Sequence, residues 1–305
     1  MASEPASTSP RWLLQSAPLI FVLLWSTGWI VARYSAPYAD PLTFLCVRYA
    51  TAGAVVAAIA VATGARWPGP QGVMHAMVSG VLIHAIYLGG VWWAIAHGLS
   101  AGISGLIAAV QPILTALLAP VLVGERIGRA NWAGIMLGFA GIALVLEPKL
   151  IGLSSDAVSG AVLPMVVNIV AMLSVTLGTF YQKRWIATGD LRTVTVLQYA
   201  GALLATLPVA WLTEPMRITW NQTTLLVLAW SVLALSIGAI AMLFVLIRNG
   251  AVSRAAALIY LVPPSVAIEA FILFGESMLP LQVLGMVVTA AGVALATRKA
   301  PPKPA

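Results

Sequence analysis

Apolar residues run almost unbroken through ten stretches of this chain: 14–34, 42–63, 73–97, 101–123, 130–146, 160–182, 193–212, 223–247, 253–274 and 280–297. The runs are continuous instead of alternating in twos, so each predicts a helix and not a barrel strand. Most reach the length of roughly 18 residues or more that crosses a bilayer. Polar residues fall between the runs, in short connections, the longest being 147–159. The leading segment MASEPASTSPR is polar, and no small-residue cleavage site ends the first run, so a removable signal peptide is not expected. The closing APPKPA is expected to be disordered. The pattern predicts an all-α integral membrane protein of ten transmembrane helices.

The pattern is written twice. Pro112 to Leu144 aligns without a gap on Pro263 to Leu295, with 11 of 33 positions identical, including Gly124-Glu125 on Gly275-Glu276, Gly134 on Gly285 and Ala140-Gly141 on Ala291-Gly292. Shared hydrophobicity does not put Pro, Gly and Glu in step, so this is an internal duplication. At an offset of 150, Trp25-Ser26-Thr27-Gly28 lies over Val175-Thr176-Leu177-Gly178, Asp40 over Asp190, Thr43 over Thr193, Tyr49-Ala50 over Tyr199-Ala200, and Arg48 over Gln198. The expected units are 1–150 and 151–305. Five helices is an odd number, so the second unit enters the membrane from the opposite face, giving two inverted five-helix repeats. That plan recurs in secondary transporters that alternate access around a site between the repeats; aquaporin-like channels share it.

Composition agrees. The chain is 61% hydrophobic and 8% charged, with a mean hydropathy of +0.98, whereas a soluble domain carries about 25% charged residues. The net charge of +7 suggests no nucleic-acid partner, because it sorts by loop. With a cytoplasmic N-terminus, twelve basic residues lie inside and only Arg33, Lys149 and Arg217 outside, which places both termini in the cytoplasm. The one cysteine, Cys46, forms no internal disulfide or metal cluster. No cofactor is expected.

Candidate chemistry follows from polar residues inside apolar runs. Arg48, in helix 2, either snorkels outward or serves a site. Glu269, the one carboxylate well inside a predicted helix, is set to couple protons, to bind a substrate amine, or to pair with Arg48. Trp25 lines a cavity or packs. His84 and Tyr87 share a face of helix 3, with a buried helix–helix hydrogen bond as the bland reading of His84; no His pair has metal spacing. Pro112, beside Gln111, frees a carbonyl one turn earlier and breaks helix 4; Pro263-Pro264 break helix 9 at the matching place. Asn168 and Tyr260 complete a substrate-site set with Trp25, His84, Tyr87 and Gln111, while Arg48, Glu269, Pro112, Pro263 and Pro264 form the coupling or gating set. Glu125 and Glu276 are expected to be solvated, turn-fixing carboxylates, and Gly28 and Gly178 to allow close helix approach. Glycines on helices 5 and 10 either mediate dimers or pack the monomer.

Trp25-Ser26 in helix 1, Pro41 with Arg48 seven residues on, and the doubled Pro…Gly-Glu…Gly…Gly pattern resemble the EamA family of the drug/metabolite transporter superfamily, over about 14 to 298. The resemblance implies a bacterial inner-membrane, ten-helix carrier moving small metabolites, mostly outward. Within it the chain looks like the YddG-type exporters of aromatic and other neutral amino acids. One departure is that the second half lacks the Trp of helix 1 and the Arg of helix 2.

The leading expectation is therefore a non-enzymatic exporter of amino-acid-like molecules in the lipid bilayer, with oligomers allowed but not required. No GxxxxGK[ST] loop is present for nucleotide drive. Drug export is the runner-up. A nucleotide-sugar carrier needs more basic residues than Arg48, and a channel differs in showing unsaturable flux. An intramembrane serine protease at Gly102-Ile103-Ser104-Gly105 is disfavoured, since all three histidines precede Ser104.

Overall fold

The computed structural model describes residues 11–123, 128–150, 155–186, 188–238, 262–276 and 278–296. Among them the chain forms ten helical units. These are α1 (Arg11–Ser35), α2 (Pro41–Ala62), α3 (Pro70–Ala96), α4 in two pieces (Ala101–Ile107 and Val110–Val123), α5 (Arg129–Leu150), α6 (Ser155–Trp185), α7 (Leu191–Thr213), α8 (Gln222–Gly238), α9 (Val262–Phe274) and α10 (Pro280–Ala296). Among the described residues, five helices are long and apolar enough to cross a membrane: α2, α3, α4, α6 and α7. The helices outrun the apolar stretches at the middle of the chain. α5 continues to Leu150 and α6 starts at Ser155, so the expected 147–159 connection is mostly helix. The end of the eighth apolar run, the start of the ninth, Glu125 and the C-terminal tail lie outside the described residues.

Two pairs of helices that correspond across the duplication pack on each other, α5 with α10 and α2 with α7. In the first, a Cβ on Gly141 would stand 2.5 Å from the Thr289 backbone nitrogen and 2.7 Å from the Gly285 carbonyl, and one on Gly292 would stand 2.4 Å from Gly138 N. Backbone meets backbone there, which only glycine permits. The glycine faces of the two helices are spent on each other. Gly141 faces Gly285 while Gly292 faces Gly138 and Gly134, so the two helices run antiparallel.

The second pair is antiparallel as well. At one end Glu214 accepts from the backbone N–H groups of Leu42 (2.9 Å) and Thr43 (2.8 Å), capping α2 from the end of α7. At the other, Arg192 at the start of α7 donates to Thr63 Oγ1 just past α2. Asp40 and Asp190 occupy the N-cap positions of α2 and α7. Asp190 caps Arg192 N at 3.0 Å and binds the Arg192 guanidinium. That hydrogen-bonded partner holds the Asp190 carboxyl below the usual carboxylate range.

α3 and α8 are not regular throughout. Each widens into a π-helical segment, Val81–Ile86 in α3 and Ser231–Gly238 in α8. The segments begin 150 residues apart (81 and 231), the same offset that aligns the two halves.

Candidate functional site

Arg48 stays where the helix puts it. Its residue is only 6% exposed, so the side chain does not snorkel, and it does not pair with Glu269 or with any other carboxylate among the described residues. The guanidinium carbon lies 5.9 Å from the centre of the Trp92 ring, a cation–π contact. Trp92 is in turn stacked on Phe44 at 5.3 Å. Nε is buried with no hydrogen-bond partner among the described residues. The phenols of Tyr199, Tyr49 and Tyr87 stand within electrostatic reach of the charge.

The aromatic wall beside Arg48 is built by the crossing of α2, α3 and α7. Tyr49 stacks on Tyr199 at 6.0 Å between ring centres, and His84 lies 4.9 Å from Tyr199. The Tyr49 hydroxyl donates to the His84 carbonyl at 2.8 Å. His84 belongs to the π segment of α3, whose wider turn frees carbonyls from regular pairing; such bulges concentrate at functional positions. Tyr87 follows directly and is buried. Tyr49 and Tyr199 also line an apolar groove of about 250 Å³ between α2 and α7. Neither tyrosine stood out in the sequence as a site residue, although both were visible as a matched pair in the duplication.

Glu269 reaches from α9 to α1, where Ser26 Oγ is 2.6 Å from Oε1. Ser26 Oγ is also 2.8 Å from the Leu23 carbonyl. A hydroxyl has one proton to give. It donates to Glu269 when the carboxyl is ionised, and to Leu23 when the carboxyl itself is protonated and donates to Ser26. Oε2 is buried and has no partner among the described residues. Trp25, one residue before Ser26, is 38% exposed.

Asn168 is placed differently from the other candidates. It is fully buried, with Nδ2 donating to the Ser104 carbonyl at 3.3 Å and Oδ1 accepting from Ser104 Oγ at 3.2 Å. Ser104 Oγ in turn accepts from Trp29 Nε1 at 3.1 Å. This chain of bonds ties α1, α4 and α6 together. The Ser104 proton goes to an amide and not to an imidazole, which removes the nucleophile-plus-base geometry of a serine protease.

Pro112 acts on α4 as its chemistry requires. The Ala108 carbonyl, which would have accepted from residue 112, accepts from Gln111 N at 3.1 Å, and the helix parts at Ala108-Ala109. Gln111 is half-buried beside that break. Pro263 and Pro264 stand in the first turn of α9 as described, and Tyr260 lies outside the described residues.

One end of the bundle is tied across by side chains from several helices. Glu276 accepts from Gly102 N at 3.0 Å and Ala101 N at 3.3 Å, capping α4, and lies 3.9 Å from Arg33 Nε. The rings of Tyr34 and Phe274 meet beside it at 4.8 Å. Glu276 is therefore a cross-helix tie, not a solvated turn carboxylate. The acceptor capacity of a carboxylate and the four bare N–H groups of a helix start explain why it turns inward.

The sequence signature of the EamA-like transporter family matches this chain twice, over residues 14–147 and 163–298. A probable amino-acid metabolite efflux pump of Salmonella typhimurium is 26% identical over 285 residues, 90% of this chain and 91% of that protein. The Bacillus subtilis transporter YvbV is 24% identical over 289 residues, 91% and 89% of the two. A transporter of Archaeoglobus fulgidus is 23% identical over 171 residues, a match spanning 55% of this chain and 57% of that protein's length. A solved crystal structure superimposes with a TM-score of 0.61 at 21% identity, over 94% of this chain and 98% of the other, which is a likeness of fold.

Proposed function

Because the chain belongs to the EamA-like transporter family, we propose that it is a secondary carrier exporting small metabolites, aromatic or neutral amino acids foremost, in the manner of YddG-type exporters. The carrier works by alternating access between two inverted five-helix repeats, 1–150 and 151–305, with ten transmembrane helices in an inner membrane and both termini cytoplasmic. One observation carries this reading: two corresponding helix pairs of the two halves, α2 with α7 and α5 with α10, lie against each other antiparallel. Tyr49 stacks on Tyr199, its own counterpart at the offset of 150. Contacts between counterparts are what a two-fold axis in the membrane plane produces.

The likeness to the Salmonella probable amino-acid metabolite efflux pump favours amino acids as cargo. In this reading the aromatic wall of His84, Tyr87, Tyr49 and Tyr199, with Trp25, Gln111 and Tyr260, meets the substrate's body. Asn168 is assigned to holding α1, α4 and α6 together. Pro112 and Pro263-Pro264 mark the helix breaks about which the repeats rock, and Glu269 carries the coupling proton.

The test is counterflow. Proteoliposomes holding the full chain are loaded with unlabelled amino acids, and uptake of each labelled amino acid is followed. Saturable uptake that unlabelled aromatic amino acids compete away is the expected result. Unsaturable flux overturns the carrier in favour of a pore, and absence of uptake for every amino acid moves the cargo to drugs or other metabolites.

A further inference from the structure

We propose that Arg48 is the seat for a carboxylate on the transported molecule, so that the cargo is a monocarboxylic metabolite with an organic body that lies against aromatic rings. The inference rests on the carrier reading for its biological meaning, but not for its test. A guanidinium has five N–H donors and no acceptor. Inside a membrane bundle such a group needs a counter-charge, backbone carbonyls or water. Arg48 has the Trp92 ring at 5.9 Å and a buried Nε with no partner among the described residues. The ring offers a face for the charge, and the buried Nε is left without an acceptor among the described residues.

The second half of the chain shows what a satisfied residue looks like at the same place. Gln198, 150 residues on, donates from Nε2 to Ser79 Oγ at 2.9 Å and to Gln182 Oε1 at 3.4 Å. The positions that would supply the same partners to Arg48 are 229 and 32, at the same offset, and both are alanine. One half carries a neutral amide with its partners in place. The other carries a full charge with both partners pared back to methyl groups. That asymmetry leaves the buried Arg48 Nε without a partner among the described residues.

The fork of a guanidinium matches the two oxygens of a carboxylate. A phosphate dianion would suit it too, but among the described residues no second cation stands with Arg48. A single negative charge is what one guanidinium balances. The rings of Trp92, Tyr49, Tyr199 and His84 lie on the elements around Arg48, Trp92 at 5.9 Å from it, Tyr49 stacked on Tyr199 and His84 against Tyr199, so an aromatic or apolar body attached to the carboxylate finds ring faces.

The experiment separates binding from transport. Full-length protein in detergent is melted in the presence of each of the twenty proteinogenic amino acids. For each that protects, its methyl ester and its decarboxylated amine are tested, with inorganic phosphate as a further probe. The free acid is expected to raise the melting temperature with at least tenfold lower half-effect concentration than ester or amine. Arg48→Gln is expected to erase that preference, and Arg48→Lys to weaken it, since the point charge remains and the fork is lost. Equal protection by acid and ester in the wild type overturns the proposal, and so do protection by none of the acids and protection by phosphate alone. The wild-type ester comparison decides even where the Arg48 variants fail to fold. Loss of saturable uptake in proteoliposomes with the acid preference intact would instead sink the carrier reading alone.

Discussion

At the scale of single residues, the polar groups inside the bundle divide by whether the protein answers them. Asn168 is answered: both ends of its amide are bonded to Ser104, which is bonded to Trp29. Asn168→Ala leaves the Ser104 hydroxyl buried with one partner fewer, at a cost of about 1–3 kcal/mol. A lower melting temperature in detergent, with substrate affinity unchanged in the surviving protein, is the expected outcome; unchanged stability with lost affinity would return Asn168 to the binding site. Glu269 is half answered, among the described residues by Ser26, through a hydroxyl that can reverse its proton between Glu269 and Leu23. A proton on this carboxyl therefore rearranges its local bonds without breaking them. An imposed pH gradient is expected to speed counterflow in the wild type and to have no effect in Glu269→Gln. Indifference of the wild type to the gradient would end the coupling role. The sequence marked both residues for the same reason, polarity inside an apolar run. It offered no means to tell them apart, since their partners lie 64 and 243 residues away.

At the scale of helices, each described helix falls on an apolar run, because in lipid the length of an unbroken apolar stretch and the helix it forms answer the same demand. What they did not reveal is irregularity. The π segments of α3 and α8 change the count of residues per turn without changing their character, so hydropathy passes over them. Glycine was read in part. Gly178 does sit at a close approach, with a Cβ there meeting Ile83 Cγ1 at 2.7 Å, but one on Gly28 would meet nothing within 4 Å. Two opposite outcomes follow. Gly28→Ala is expected to leave melting unchanged or raise it, by up to about 1 kcal/mol, as a helix gains a better former. Gly141→Ala drives a methyl group into the Thr289 and Gly285 backbones, and is expected to lower melting and folded yield. Equal effects of the two would mean that α5 and α10 do not cross at these glycines. The N-terminal cap of α7 adds a pH signature. Asp190 has a lowered pKa in the folded chain, so its contribution is present above its unfolded pKa and fades as pH falls through the carboxylate range.

At the scale of the whole molecule, the ties at one end raise the question of what opens. The tied end joins α1, α4, α9 and the α9–α10 turn through Glu276, Arg33, Tyr34 and Phe274. Under the proposed topology this is the outer face, where an exporter must release its cargo. The 3.9 Å ion pair has a half-exposed arginine, and such pairs contribute little by themselves. The two hydrogen bonds from the start of α4 to Glu276 are the stronger part of the tie. A short bismaleimide linking Tyr34→Cys to Phe274→Cys should therefore stop counterflow while leaving substrate-induced thermal protection in place. The native cysteine does not interfere, because Cys46 is buried. Each single cysteine treated with the same reagent should retain transport. Full counterflow in the cross-linked protein would mean that this end stays shut throughout the cycle, and that the molecule does not alternate access through it. Glu276→Gln keeps the shape of the side chain and weakens its hold on the α4 amides. It is expected to shift the balance towards the open end and so to raise the reactivity of Phe274→Cys towards a membrane-impermeant maleimide. The direction of that change follows from the cap being the main bond across the seam, and a fall in reactivity would contradict it.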